Sequence, residues 1–168
     1  MKLTNRKIVV AGMLGAISIV LGISGLGLIP VPTMAGNVTI MHVPTILGGV
    51  LEGPLVGLLI GLIFGLFSFM QASSPLFADP LVSIIPRLFI GITSYLVYAV
   101  FKKKNKNLGL ISAGIVGTAT NTILVLGMGV IRGYIPFEGA LSIAVIHGIP
   151  EAIVATLLTL LIGRKFTR

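Results

Sequence analysis

Apolar residues fill long, nearly unbroken segments of this chain, and polar residues are mostly confined to the short stretches between them. A helix needs about 20 mostly apolar residues to cross the hydrocarbon core of a bilayer. Four segments reach that length directly, at about 7–28, 81–101, 108–131 and 141–163. The pattern therefore predicts an all-α integral membrane protein.

A further apolar stretch, residues 41–70, is too long for one ordinary span and is interrupted at 52–54 by the sequence Glu-Gly-Pro. Proline disfavours helical conformation in the residue before it and fits the first turn of a new helix. We therefore predict a short second span at about 41–51 and a third at about 54–71. The second reaches only about 16 Å at about 1.5 Å per residue, so neighbouring helices must shelter it or residues 37–40 must extend it.

Positive charge divides the chain in the same way. Ten of the twelve Lys and Arg residues fall in three short clusters. The clusters consist of Lys2, Arg6 and Lys7; Lys102, Lys103, Lys104 and Lys106; and Arg164, Lys165 and Arg168. Because basic residues that flank a span are retained on the cytoplasmic side, the clusters should share one face of the bilayer. Two helices between 41 and 71 satisfy this condition and one does not, so we predict six transmembrane helices with both termini cytoplasmic (N-in/C-in).

The predicted architecture is a single compact bundle over residues 1–168, with no soluble domain. Only 10% of the residues are charged, against about a quarter in soluble domains. The net charge of +8 does not indicate nucleic acid, because the charges flank apolar segments and form no continuous basic face. The absence of cysteine from the sequence excludes disulfides and Cys-ligated metals. Because the apolar stretch 8–28 exceeds a usual signal-peptide core, we expect a retained first span.

Small residues recur at helical spacing in two spans. Span three carries Gly53, Gly57, Gly61 and Gly65, and span one carries the pairs Ala11/Gly15 and Gly12/Ala16. Such stripes let another helix backbone approach closely. For span three we favour packing within the bundle. For span one, whose pairs lie near the cytoplasmic end, we favour docking of another membrane subunit.

Four polar side chains lie inside predicted spans: Arg87, Asn121, His147 and Glu151. Ionisable groups at membrane depth are costly and usually face a partner or a wet cavity. Counted from the outer ends of their spans, Arg87 lies about 10 Å deep and Asn121 and Glu151 about 15 Å deep. Since His147 precedes Glu151 by one helical turn, the four should converge on a substrate-binding pocket in the outer half of the bundle. Prolines directly before Arg87 and Glu151 can bend both helices.

Simpler interpretations stand beside this one. Arg87 and Glu151 can form an ion pair between spans four and six, which would not prevent them from orienting a ligand. His42, at the outer mouth of span two, is by itself more typical of a membrane interface than of a ligand contact. We include it among the substrate-binding candidates together with Arg132, which lies at the mouth of the predicted pocket.

The chain lacks the motifs of the common enzyme classes. It has no phosphate-binding loop and no H-E-x-x-H sequence, and its single aspartate, Asp79, lies near the outer rim of the bundle. We therefore predict no catalytic site, no cofactor and no metal site. The sequence shows no inverted repeat and no second carboxylate beside Glu151, so it lacks the usual features of a stand-alone secondary transporter. Because it also has no phosphate-binding loop, any ATP-driven work requires another chain.

Several motifs together resemble the substrate-binding S components of energy-coupling factor (ECF) vitamin transporters. The residues that carry the resemblance are Met41-His42-Val43-Pro44-Thr45-Ile46-Leu47-Gly48-Gly49, Glu52-Gly53-Pro54, the glycines at 57, 61 and 65, and the segment 79–91 with the sequence DPLVSIIPRLFIG. The resemblance implies high-affinity binding of a water-soluble vitamin from the outer side of a prokaryotic plasma membrane. It also implies two kinds of partner, a membrane coupling subunit and two ABC-type ATPases.

The same resemblance implies where the ligand and the partner bind. In the family the pocket is built from spans four to six, and the loops at about 29–41 and 71–79 help to close it. An Ala-x-x-x-Ala-like motif in span one docks on the coupling subunit. Either Ala11/Gly15 or Gly12/Ala16 matches that motif imperfectly, so the register of docking stays open.

The vitamin is indicated only by charge. Arg87 can bind a carboxylate bidentately, which favours pantothenate as the first candidate. Glu151 and His147 suit an amine, hydroxyl or pyridine nitrogen, so a vitamin B6 compound, riboflavin or another vitamin remains an alternative. A stand-alone secondary transporter or a non-transport membrane subunit is the alternative class.

Overall fold

The computed structural model describes residues 3–30 and 37–167. Within them the chain forms helices and one short two-stranded ribbon. In chain order these are α1 (Asn5–Ile23), β1 (Leu28–Pro30), β2 (Asn37–Thr39), α2 (Val43–Glu52), α3 (Pro54–Gln71), α4 (Pro80–Phe101), α5 (Lys106–Ile131), α6 (Phe137–Ile146) and α7 (Gly148–Phe166). Lys2 and Arg168 of the predicted clusters, and residues 31–36 of the loop predicted at 29–41, lie outside the described residues.

Among the described residues, five helical units are long and apolar enough to cross a membrane: α1, α3, α4, α5 and the consecutive pair α6–α7. Their outer surfaces carry large apolar side chains, such as Met13 on α1, Ile123 on α5 and Leu157 on α7, each more than half exposed. A lipid environment accommodates such surfaces, and helices satisfy their backbone polar groups internally. The chain is therefore a multi-pass helical membrane protein.

The short helix α2 forms the centre of the bundle. Eight of its ten residues are buried, and it packs against α1, α3, α4, α5 and α7. Gly53, with φ of +105°, separates it from α3, which begins at Pro54 as the sequence predicts. Neighbouring helices shelter α2, and residues 37–39 do not extend it, since they form strand β2.

The first span ends earlier than the sequence indicates. Helix α1 ends at Ile23 rather than near residue 28. Gly25, with φ of +73°, reverses the chain there, and the N–H of Gly27 donates to the carbonyl of Leu21 at 2.8 Å. The chain then enters strand β1, which pairs antiparallel with β2 and matches Leu28 to Thr39.

The last apolar segment is also divided, into α6 and α7, with His147 between them. Pro150 has no N–H to donate to the carbonyl of Ile146, one turn earlier, so the regular helix is interrupted at this point. Proline was expected to bend this span, but it interrupts it. Together the two helices run from Phe137 to Phe166, beyond both ends of the predicted span 141–163.

The glycine stripe of α3 packs within the bundle. A side chain at Gly57 would press on the backbone of Gly91, one at Gly61 on the carbonyl of Arg87, and one at Gly65 on the backbone of Ile84. Small residues let α3 and α4 run in backbone contact along these turns. The favoured interpretation of the stripe is therefore confirmed, and the stripe also fixes the height of Arg87 in the bundle.

We predict that Gly61→Ala destabilises the protein, because the added methyl group can be accommodated only if α3 and α4 separate. Overpacking of this kind costs about 1–3 kcal/mol. Gly127→Ala is the matched control, since an added Cβ at Gly127 on α5 would meet no other helix and no side chain beyond its chain neighbours within 4 Å among the described residues. Thermal unfolding in detergent should show a lower melting temperature for Gly61→Ala and an unchanged or higher one for Gly127→Ala. Equal melting temperatures would contradict the packing account.

Candidate functional site

His42 joins three helices at the centre of the bundle. It precedes α2, and its ring is fully buried. Its Nε2 lies 2.9 Å from the hydroxyl of Thr118 on α5, and its Nδ1 lies 3.5 Å from Oε1 of Glu151 on α7. The expectation of a residue at the membrane interface is therefore wrong, because His42 is part of the buried polar cluster.

The hydrogen bonds around His42 determine where its protons lie. The Thr118 hydroxyl donates to the carbonyl of Gly114 at 2.9 Å, so His42 Nε2 must be the donor in its contact with Thr118. His42 Nδ1 and Glu151 Oε1 then face each other, and the described residues offer neither atom another hydrogen-bond partner. Two buried lone pairs in this position would repel, so one proton belongs to the His42–Glu151 pair.

Glu151 also connects this cluster to the ribbon. It lies in the first turn of α7 and is 5% exposed. The backbone N–H of Thr39, the last residue of β2, hydrogen-bonds to its carboxyl group. The ribbon is thereby attached to α7 at the residue that pairs with His42.

Arg87 on α4 is a buried cation held by aromatic rings. Its side chain is 4% exposed, and Nη1 donates to the carbonyl of Val82 at 2.6 Å. The guanidinium carbon lies 5.5 Å from the ring centre of Phe64 and 5.1 Å from that of Phe77, a separation typical of cation–π contacts. Among the described residues, its Nε has no hydrogen-bond partner.

Arg87 does not form the simple ion pair that the sequence suggested. Across the described residues, Glu151 reaches ion-pair distance with His42 and not with Arg87. Arg87 is still close enough to act electrostatically on both His42 and Glu151. The cluster thus contains one buried cation without an acidic partner, beside a histidine–carboxyl pair.

The remaining two predicted residues are Asn121, in span five, and His147, in the same predicted span as Glu151. Asn121 is buried on α5, one turn after Thr118, and its side-chain oxygen has no hydrogen-bond partner in the part of the chain that the structure describes. His147 is buried at the junction of α6 and α7, and its carbonyl accepts the N–H of Glu151 at 3.1 Å. All four predicted polar residues are therefore buried.

Arg132 has a different position from that of the buried cluster. It follows the last residue of α5, and its Nε donates to Oδ2 of Asp79 at 2.7 Å. The hydroxyl of Tyr134 donates to the same oxygen at 3.3 Å. Asp79 is the N-cap of α4 and accepts the N–H of Leu81 at 2.9 Å. Arg132 therefore binds a carboxylate of the protein itself.

The hydrogen bond from Arg132 holds the pKa of the Asp79 carboxyl below its usual value of 3.8. In return, the Asp79 carboxylate raises the pKa of Arg132. Because the pKa of the acid is depressed, the contribution of the pair to stability is complete above the usual pKa and is lost as pH falls below it. The pair is consequently ionised at neutral pH.

The two small-residue pairs of α1 face in different directions. Ala11 packs into a cluster with Val56 and Ile60, and a side chain at Gly15 would collide with Ile63. Gly12 and Ala16 are exposed, and a Cβ at Gly12 would meet no atom within 4 Å. The structure therefore distinguishes an internal pair from an external pair.

Several residues of the site were missed in the sequence. Thr118 lies on the same face of α5 as Asn121, so helical spacing could have identified it. Thr45, one turn after His42, is fully buried, and its hydroxyl has no hydrogen-bond partner among the described residues. Thr39 contributes through its backbone and Phe77 through the position of its ring, and neither has a sequence signal.

The cluster offers donors and acceptors suited to an organic ligand. It combines a guanidinium, a histidine–carboxyl pair, an amide oxygen and threonine hydroxyls. Within residues 3–30 and 37–167, no three His, Cys, Asp or Glu side chains are grouped as metal ligands would be. An organic molecule bearing a carboxylate and hydrogen-bonding groups matches this inventory best.

Two comparisons concern individual proteins. A solved structure described as the S component of a bacterial ECF transporter has the same fold, with a TM-score of 0.68, 22% identity, and coverage of 96% of this chain and 95% of that chain. The pantothenic acid transporter PanT of Lactococcus lactis subsp. cremoris (strain MG1363) is 33% identical over 108 residues. That alignment covers 52% of this chain and 54% of PanT, so the match spans about half of the relative's length.

A third comparison covers nearly the whole chain. The family described as "ECF transporter, substrate-specific component" matches residues 6–163. This range reaches every helix and includes all the buried polar residues described above. Members of this family are substrate-binding components of transporters and not enzymes. The chain therefore belongs to the family of substrate-specific S components of ECF transporters.

Proposed function

We propose that this S component binds a small vitamin that carries one carboxylate, with pantothenate as the first candidate. The single observation that carries the proposal is the buried guanidinium of Arg87, which lacks an acidic partner among the described residues. An uncompensated charge at membrane depth is costly. A ligand carboxylate would supply the missing countercharge.

The contacts of Arg87 leave one edge for such a ligand. Rings lie against the guanidinium at two positions and Nη1 donates to Val82, whereas Nε is unpartnered. A carboxylate can accept from Nε and the neighbouring Nη2 together, in the bidentate geometry that arginine favours. Phosphate groups can bind in the same way, so the charge of Arg87 alone does not select the vitamin.

The remaining polar groups support pantothenate in particular. Pantothenate bears an amide and two hydroxyl groups and has no ring. Among the described residues, the unpartnered Asn121 oxygen offers an acceptor for these groups, and the unpartnered Thr45 hydroxyl offers a donor and an acceptor. The printed name of the Lactococcus lactis relative, a pantothenic acid transporter, supports the same choice.

We further propose a single membrane domain over 1–168 that crosses the prokaryotic plasma membrane six times, with both termini cytoplasmic. Two contacts support this topology. Arg6, at the start of α1, pairs with Glu52, at the end of α2, at 2.7 Å. Arg164, near the end of α7, donates to Asn107, at the start of α5, at 2.8 Å. The positive clusters thus mark helix ends that belong on one face.

For transport, we propose that the protein works with a membrane coupling subunit and two ABC-type ATPases. The exposed pair Gly12/Ala16 on α1 is the proposed docking face. Two observations support this choice. Another helix can approach Gly12 closely, whereas Ala11 and Gly15 already pack against residues of α3. Small residues at helix interfaces permit the tight packing that such docking requires.

We predict that Arg87→Gln weakens pantothenate binding by at least about 100-fold, because removing one partner of a buried charge pair costs several kcal/mol. Isothermal titration of the purified protein measures the change. Lys103→Gln is the matched control, since it removes an exposed positive charge and should leave affinity unchanged.

Two results would count against this assignment. Equal affinities in wild type and Arg87→Gln would exclude Arg87 as the anchor. Tight binding of a vitamin B6 compound with no binding of pantothenate would retain the family and replace the proposed substrate.

We predict that Gly12→Leu and Ala16→Leu lower vitamin uptake severalfold while ligand binding by the isolated protein persists. The larger side chains would hold a coupling subunit away from α1 without disturbing the bundle. Gly127→Leu is the control, because it places the same side chain in open space on α5. Uptake by cells and binding by purified protein are measured in parallel. Normal uptake in both α1 variants would show that this face is not the docking surface.

A further inference from the structure

The loop between α3 and α4, residues 72–79, covers the buried cation. Its Phe77 ring lies 5.1 Å from the guanidinium carbon of Arg87. The loop holds this ring through its backbone: the N–H of Phe77 donates to Ser74 at 2.9 Å, and the hydroxyl of Ser83 donates to the carbonyl of Phe77 at 2.5 Å. Ser83 itself is fully buried beneath the loop.

The same loop is attached to the end of α5 at two points. Leu76 packs so closely on Gly129 that a Cβ there would lie 2.7 Å from its Cδ1. Asp79 accepts from Arg132 at 2.7 Å and from Tyr134 at 3.3 Å. The loop is therefore joined to a helix distant in sequence, directly beside the residue that covers Arg87.

We propose that Asp79, Arg132 and Tyr134 form a latch that keeps Phe77 over Arg87 and thereby sets the rate at which ligand enters and leaves. The proposal rests on the proposed function, in which Arg87 binds the ligand carboxylate. Asp79, Arg132 and Tyr134 are positioning residues here, acting on the ligand through the loop. This role replaces direct substrate binding by Arg132.

Burial makes the latch asymmetric. The side chain of Asp79 is 4% exposed, whereas that of Arg132 is 49% exposed. Loss of Arg132 would leave a buried carboxylate without its countercharge, and the loop must move outward to hydrate it. Loss of the Asp79 charge would leave only a half-exposed guanidinium, which water already solvates. Removal of Arg132 should therefore open the loop more than neutralisation of Asp79.

A reporter of loop opening that needs no ligand follows from the sequence, which contains no cysteine. Ser83→Cys places one thiol under Phe77, and a membrane-impermeant maleimide labels it only when the loop opens. In the Ser83→Cys background we expect labelling to be about tenfold faster in Arg132→Met than with the intact latch, because that variant loses the charged hydrogen bond to Asp79. Asp79→Asn should give a smaller increase and Tyr134→Phe the smallest. Arg6→Met, which breaks the ion pair with Glu52 instead, should leave the rate unchanged.

The exchange of radiolabelled pantothenate is measured with the same latch variants in the native Ser83 background. Faster association and faster dissociation in Arg132→Met, with a smaller change in Kd, support the latch. Slower association with unchanged thiol labelling would instead make Arg132 a direct ligand contact and overturn the proposal. Unchanged labelling in folded Arg132→Met and Asp79→Asn would also overturn it.

Two safeguards keep the test decisive. If Arg132→Met fails to fold, Arg132→Lys and Tyr134→Phe weaken the latch more gently. A labelling rate in both variants equal to that of Ser83→Cys with the intact latch would contradict the proposal. Failure of the proposed function can be distinguished from failure of the latch. If Arg87→Gln does not change pantothenate binding, the ligand assignment is wrong, but the thiol-labelling rates, which need no ligand, still test the latch. The latch and the ligand assignment are thus tested by separate readouts.

Discussion

A bilayer offers no water to a buried charge, and this constraint explains the arrangement of ionisable groups in the protein. The chain has only four acidic residues. Three of them pair with a basic group from another element: Glu52 with Arg6, Asp79 with Arg132, and Glu151 with His42. Within residues 3–30 and 37–167, Arg87 is buried without such a partner, and the proposed ligand carboxylate completes the pattern.

Packing and charge depend on one another at Arg87. The glycines of α3 bring that helix into contact with the α4 backbone at this residue, which sets the depth of the guanidinium. Phe64 from α3 and Phe77 from the following loop then lie against it. The surroundings of the cation are therefore built by helix packing together with the loop that follows α3. In the proposed function, a guanidinium already fixed in this way reduces the ordering cost of ligand binding.

Sequence reasoning predicted the elements whose causes are local. Pro54 and the charge clusters divided the 41–70 stretch, and apolar context identified Arg87, Asn121, His147 and Glu151 as buried. It did not predict that Glu151 pairs with His42, because that contact depends on the rotations of α2 and α7 about their axes. The end of α1 was also predicted wrongly. The turn at Gly25 lies inside a continuous apolar stretch, and apolar composition alone does not show where a helix ends within such a stretch.

The central claim of the proposed function is that Arg87 binds the carboxylate of a vitamin. Its most direct test is native mass spectrometry of the protein purified from cells grown in rich medium, followed by identification of the bound small molecule. The account predicts that wild type retains a carboxylate-bearing vitamin, pantothenate first, and that Arg87→Gln is purified without it. A retained ligand that lacks any anionic group, or equal retention by both proteins, would contradict the account.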